Sequence, residues 1–222
     1  MSTTSHITAA DGHRLEIARA EPNGTPKGGV IILHAIYGLT DHIRGVCDTW
    51  AANGYVGIAP ALFDRVGRGL VHPHTREGGN AGRQCYEALT EAMILADIAA
   101  ARDAFPDSAP VIVSGFCSGG TWAWIAGAKL HRLAAQVNFY GSHVARHLYL
   151  QPRCPTILHY GDADHVVPAA DIARIQAAHP ACEMHVYPGA GHAYFNPEQD
   201  HYDGPAAALS LERSLAFLDR VL

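Results

Sequence analysis

The chain is 222 residues long, with 48% hydrophobic and 17% charged residues and a formal net charge of −5, a size and balance suited to one globular domain over residues 1–222. The acidic balance argues against nucleic-acid binding, which calls for a basic patch to neutralise phosphates. No uninterrupted run of eighteen apolar residues offers a membrane span, so the expected partner is a small molecule.

Short apolar runs alternate with longer amphipathic stretches, the pattern of an α/β fold with a mostly parallel central sheet and helices on both faces. Gly29 to His34 (GVIILH) reads as the first buried strand, lacking the polar alternation of a half-exposed one. Asp41 can cap a helix carrying Ile43, Val46, Cys47 and Trp50, which Asn53-Gly54 ends. Tyr55 to Ala59 is the next strand, and residues 61–82, rich in Gly, Arg and His, read as a surface loop. One long helix is expected over 83–105, followed by a strand at Pro110 to Ser114 and an apolar helix over 121–130. Strands at 135–140, 156–160 and 183–187, a helix at 169–178 and a closing helix over 205–222 complete the series. The closing helix offers Leu209, Leu211, Leu215, Leu218 and Leu222 for burial.

The N-terminal stretch lacks the basic and apolar regions of an export signal. Five cysteines, an odd number without CxxC pairs, read as free thiols of a reducing, cytoplasmic compartment. Among 15 histidines, His72-Pro73-His74 comes nearest to a ligand cluster. No HExxH spacing supports it, and neither metal nor cofactor is expected.

Chemistry concentrates where the strand ending at Ser114 runs into Gly115-Phe116-Cys117-Ser118-Gly119-Gly120. This fits a nucleophile elbow, in which small flanking residues permit a tight strand-to-helix turn that lifts the central residue above the sheet. The central residue is the Cys117 thiol. Ser118 competes as nucleophile, but that register puts Phe116 where a small residue is needed, so Ser118 is assigned only its backbone amide, as an oxyanion donor. The acid follows a later strand: in Gly161-Asp162-Ala163-Asp164 the spacing selects Asp164 and leaves Asp162 as a turn residue. His192, in the glycine-rich loop Pro188 to Tyr194, is the base. A second oxyanion amide is expected from Ile36, in the loop after the first strand, while His34 bonds loop backbone and has no catalytic part.

These motifs make the chain similar to the dienelactone hydrolase family over nearly its whole length. The likeness also takes in Ile36-Tyr37-Gly38-Leu39, Gly54 to Pro60, Asp164-His165-Val166-Val167-Pro168 and Gly191-His192-Ala193-Tyr194. The resemblance implies an α/β-hydrolase fold and hydrolysis of small esters or lactones through an acyl-thiol intermediate. It further implies Tyr37, Arg83, Tyr86, Tyr194 and Asn196 as substrate-binding positions. Two residues depart from the family pattern: Ala35 stands where the family has a glutamate beside the thiol, and Asn196 where it has an arginine for the substrate carboxylate. Arg65, Arg68, Arg76 and Arg83 are the other arginines available for that task. Acyl transfer and a non-catalytic ligand-binding role are the alternatives, and a monomer and a small homo-oligomer are both compatible with the sequence.

Overall fold

In the computed structural model, which describes residues 1–222, the chain divides between Val113 and Ser114 into two compact units. The first opens with two strands that no apolar run announces, β1 (Thr3–Thr8) and β2 (Arg14–Ala20), paired antiparallel from Thr3 opposite Arg19 to Thr8 opposite Arg14. Exposed along nearly all its length, β1 is an edge strand built of polar and β-branched residues. β3 (Gly28–Leu33) and β4 (Tyr55–Pro60) are buried at every position and pair in parallel, as continuous apolar runs do.

Between them lies α1 (Asp41–Ala52), whose buried positions include Ile43, Val46, Cys47 and Trp50. Its cap is Thr40 in place of the expected Asp41: Thr40 Oγ1 accepts from the Ile43 amide at 3.4 Å, and Asp41 lies in the first turn, where its charge suits the helix dipole.

Two corrections concern residues 61–105. The expected loop contains a short 3-10 turn at Leu62–Arg65 and the first half of α2 (Arg76–Glu87), and the expected long helix is parted into α2 and α3 (Glu91–Asp103). Threonines start both helices. The Thr75 and Thr90 hydroxyls accept from the Gly78 and Met93 amides at 3.1 and 3.3 Å, each starting a new helix. α2 hid from the apolar pattern because Gly78, Gly79 and Gly82 make up most of its buried face. The 3-10 turn is tied down by Arg65, whose guanidinium forks onto buried Asp97 of α3 with two N–O distances of 2.8 Å.

β5 (Val111–Phe116), wholly buried, runs across the division. The second unit continues through α4 (Ser118–Lys129), β6 (Ala135–Phe139), β7 (Thr156–Gly161), α5 (Ala169–Ala178), β8 (Glu183–Tyr187) and α6 (Gly204–Val221). β6, β7 and β8 pair in parallel. All eight strands belong to one sheet in the order β1-β2-β4-β3-β5-β6-β7-β8, antiparallel between β1 and β2 and between β2 and β4. This is the mostly parallel α/β architecture read from the sequence.

The inner face of α6 differs from expectation. Ala206, Ala207, Ser210, Ser214, Phe217 and Leu218 are buried, while Leu209 and Leu222 are exposed. Serines replace leucines inside because their hydroxyls find partners: Ser210 donates to Ala207 O at 2.9 Å and Ser214 to Ser210 O at 2.7 Å.

Candidate active site

β5 delivers the chain to Cys117, which holds φ 55° and ψ −115° at the head of α4. That left-handed conformation is costly for any residue with a side chain. It is over-determined by the backbone around it. The Cys117 amide donates to Phe139 O at 3.1 Å, and the Cys117 carbonyl accepts from the Thr121 and Ser142 amides, each at 3.1 Å. Gly115 is required by close approach, since a Cβ there would lie 2.1 Å from the Gly119 carbonyl oxygen. Buried Asn138 of β6 braces the same turn, donating to Gly120 O at 2.6 Å and accepting from the Gly141 amide at 3.1 Å.

Asp164 follows β7 and His192 follows β8. The Asp164 Oδ1 atom accepts from the Val166 and Val167 amides at 2.7 and 2.9 Å, which aims Oδ2 at His192 Nδ1, 2.7 Å away. Asp162 is engaged elsewhere, accepting from the Gly189 amide at 2.6 Å. His192 Nε2 is buried and makes no close hydrogen bond.

The charges are strongly coupled. Burial works against the Cys117 thiolate, but the neighbouring His192, the Ser118 hydroxyl and the Ser118 amide outweigh it and hold the thiol below its ordinary range. Burial likewise opposes the His192 imidazolium, yet the Cys117 charge and the Asp164 carboxylate push it up to about 10. Asp164 is opposed by burial and lowered on balance by His192 and the two backbone amides. Cys117 and Ser118 are partly exposed, Sγ and Oγ lying 3.8 Å apart.

The remaining candidates fall into two groups. In the second unit, Tyr194 is wholly buried between the rings of Tyr140 and Tyr187, with centroids 5.3 and 5.4 Å away. Asn196 is also buried, its Oδ1 accepting from the Glu198 amide at 2.9 Å, which turns the side chain into its own loop. In the first unit, a Cβ placed on Gly79 would lie 3.5 Å from Ile36 Cδ1, 3.6 Å from Tyr37 Oη and 3.9 Å from Arg83 Nη1, so these three converge over α2. Tyr86 donates to the His34 carbonyl at 2.8 Å, and His34 bonds backbone at Ala35 O and Leu62 N. Arg83 contacts Asn80 Oδ1, Arg65 pairs with Asp97 and Asp11, and Arg68 pairs with Asp64.

Sequence reasoning missed Tyr140. It follows β6 directly, at φ 40°, is buried, and sets its ring edge-on to His192 with centroids 5.1 Å apart. The signal lay in Tyr140-Gly141, which repeats the Tyr160-Gly161 pair ahead of the acid loop.

A second serine–histidine contact exists. His159 Nε2 lies 2.9 Å from Ser214 Oγ, with Tyr187 Oη 2.8 Å from Nδ1. Both His159 and Ser214 are fully buried, and burial holds His159 well below the usual imidazole range. A phenol, and no carboxylate, occupies the orienting position, which makes this pair core structure. Of the His72-Pro73-His74 run, His72 faces Cys85 Sγ at 3.4 Å and His74 packs against Tyr37. No group of three or more His, Cys, Asp or Glu that could hold a metal is present. No helix is long and apolar enough to cross a membrane.

Known proteins share this arrangement of the chain. A carboxymethylenebutenolidase from Pseudomonas putida is 28% identical over 222 residues, covering 96% of this chain and 94% of its own. A candidate enzyme of the same name from Synechocystis is 33% identical over 199 residues, covering 81% of this chain and 80% of its own. The crystal structure of a candidate dienelactone hydrolase from Klebsiella pneumoniae superposes with a TM-score of 0.83 at 24% identity, over 99% of each chain. The family model described as the dienelactone hydrolase family matches residues 15–222, and the chain belongs to that family of hydrolases.

Proposed function

We propose that this protein hydrolyses small carboxylic esters or lactones, with Cys117 as nucleophile, His192 as proton carrier and Asp164 as orienting acid. The observation that carries the reading is the 2.7 Å contact between His192 Nδ1 and Asp164 Oδ2. It fixes the imidazole and leaves Nε2 to the thiol, whose titration His192 lowers.

In the first half-reaction the thiolate attacks the carbonyl carbon and the C=O electron pair moves onto oxygen. The Ser118 amide at the head of α4 suits that oxyanion. Ile36 enters as second donor on its place in the loop after β3. Collapse expels the alcohol oxygen, which takes the proton from His192 Nε2, and leaves a thioester on Cys117. The cost of charging His192 then changes. Its pKa is raised chiefly by the Cys117 charge, and acylation removes that charge, so the imidazole holds a proton less tightly and stays neutral just when a neutral base is required. Nε2 then accepts a proton from water, whose oxygen attacks the thioester and releases the carboxylic acid and the thiolate. A lactone yields one ring-opened hydroxy acid by the same steps.

The test is a panel of p-nitrophenyl esters and small lactones with intact-mass detection. A transient acyl adduct on Cys117 with turnover is expected, both absent in Cys117→Ala. Wild-type turnover by that variant removes the reading. Matched neutral and carboxylated esters extend it: neutral ones are expected to react at least as well, because Asn196 is committed to its own turn and Arg65 and Arg68 to ion pairs. A tenfold preference for the anion, about 1.4 kcal/mol of transition-state binding, assigns the carboxylate to another arginine such as Arg76 or Arg83.

A further inference from the structure

The position after the nucleophile carries a hydroxyl whose oxygen lies 3.8 Å from Sγ. Ser118 is the first residue of α4, its side chain is partly exposed beside the thiol, and Cys117, as N-cap, supplies no side-chain cap of its own. We propose that the Ser118 hydroxyl donates a hydrogen bond to the Cys117 thiolate and sets its basicity, a task separate from the oxyanion role of the Ser118 amide. The inference rests on the reading of Cys117 as nucleophile.

The physical basis is an asymmetry between the two protonation states. A neutral thiol and a hydroxyl exchange one weak hydrogen bond in either direction. A thiolate can only accept, so a neighbouring hydroxyl that turns and closes on it makes a charge-assisted bond that favours the ionised form. The other groups facing Cys117 are His192, which favours thiolate, with Asp164 behind it, and Tyr140, whose buried ring is kept un-ionised. His143 reaches the set only through His192. Beside these, Ser118 brings a neutral hydroxyl to 3.8 Å from the sulfur.

Such a donor cannot raise reactivity at every pH. Stabilising a thiolate increases the ionised fraction and lowers the intrinsic nucleophilicity of each ion, with a Brønsted slope near 0.4–0.5. Removing the hydroxyl should raise the Cys117 inflection by about one pH unit. Well below the inflection the rate then falls about threefold to fourfold, and on the alkaline plateau it rises about threefold, so the two pH profiles cross.

The experiment is the pH dependence of iodoacetamide alkylation at Cys117, followed by peptide mass mapping, for wild type, Ser118→Ala and Ser118→Thr. Crossing profiles for alanine and a wild-type profile for threonine are expected. An unmoved inflection in Ser118→Ala overturns the proposal. If the alanine variant fails to fold, Ser118→Thr and Ser118→Val, matched in shape and differing in the hydroxyl, make the same comparison. Acyl adducts on wild-type protein separate the two levels. An adduct on Cys117 with superposable profiles overturns the Ser118 role alone, whereas an adduct on Ser118 overturns the nucleophile assignment as well.

Discussion

Asp162 and Asp164 stand two residues apart with entirely different duties. Asp164 spends one oxygen on the Val166 and Val167 amides and the other on His192, whereas Asp162 pins the Gly189 amide of the histidine loop. Asp164→Asn is therefore expected to lower kcat by about 10³- to 10⁴-fold, because an amide favours the wrong tautomer of the imidazole. Asp162→Asn should cost at most about tenfold, since the amide oxygen can still accept from Gly189. Steady-state kinetics on one ester decides the ranking, and a reversed order moves the acid to Asp162. Alkylation of Cys117 tests the other half of the charge relation. Wild type should inflect below the free-thiol value of about 8.5, with His192→Ala inflecting at or above it, because the imidazolium is the largest influence lowering the thiol. Cys117, Asp164 and His192 stood out in the sequence because each sits in a local pattern of glycines and turn residues. Tyr140 and the inward turn of Asn196 did not, because they depend on which loops meet in space and on a side chain's choice of hydrogen-bond partner.

Elements that carry their signal in their own residues were placed from the sequence to within one or two residues: β3, β4, β5 and β7 as continuous apolar runs, and α1, apart from its cap, by its helical apolar period. Three escaped for different reasons: β1 is exposed along nearly all its length, α2 buries glycine, and β2 buries Leu15 and Ile17 in alternation with charged Arg14 and Glu16, without the continuous apolar run that marks the central strands. The break between α2 and α3 rests on one hydroxyl, Thr90, which an apolar period cannot register. α6 shows how tertiary partners override composition. Its Ser214 meets His159 across to β7, so a leucine-rich helix turns serines inward. Ser214→Ala is expected to destabilise the protein by about 1–3 kcal/mol, leaving His159 Nε2 unpaired in the core, with acylation and kcat within about twofold of wild type. Urea unfolding and ester kinetics on the same preparation check both. A loss of turnover by orders of magnitude at unchanged stability would instead make the Ser214–His159 pair the reacting one.

The molecule as a whole should be acid-labile because of two buried imidazoles, His34 and His159, and a half-buried one, His42. Burial lowers His34 and His42 to about 4 and His159 well below its usual range. Between pH about 6.5 and 4 these sites bind more protons in the unfolded chain than in the folded one, so their contribution to stability is complete above that window and is lost as pH falls through it. Three such groups set a limiting slope of about 4 kcal/mol per pH unit, and the lowered Asp164 adds to the loss at the acid end. Urea midpoints at steps from pH 7.5 to 4.5 measure it, and a flat profile would mean that these histidines find water before the chain unfolds. The conformation of Cys117 bears on stability in another way. At φ 55° and ψ −115° a side chain costs about 1–3 kcal/mol, more than the roughly 0.5–1 kcal/mol that glycine loses through the entropy of the unfolded chain. Cys117→Gly is accordingly expected to melt above Cys117→Ala in parallel thermal denaturation. In a laboratory population selected for expression or heat resistance alone, position 117 would then drift toward glycine, and the most robust descendants would be inert. Positions 164 and 192 face no such pull, because their side chains hold one another in place. Any campaign to harden this protein must therefore select for turnover at every round, or it will improve the scaffold by discarding the thiol proposed as nucleophile.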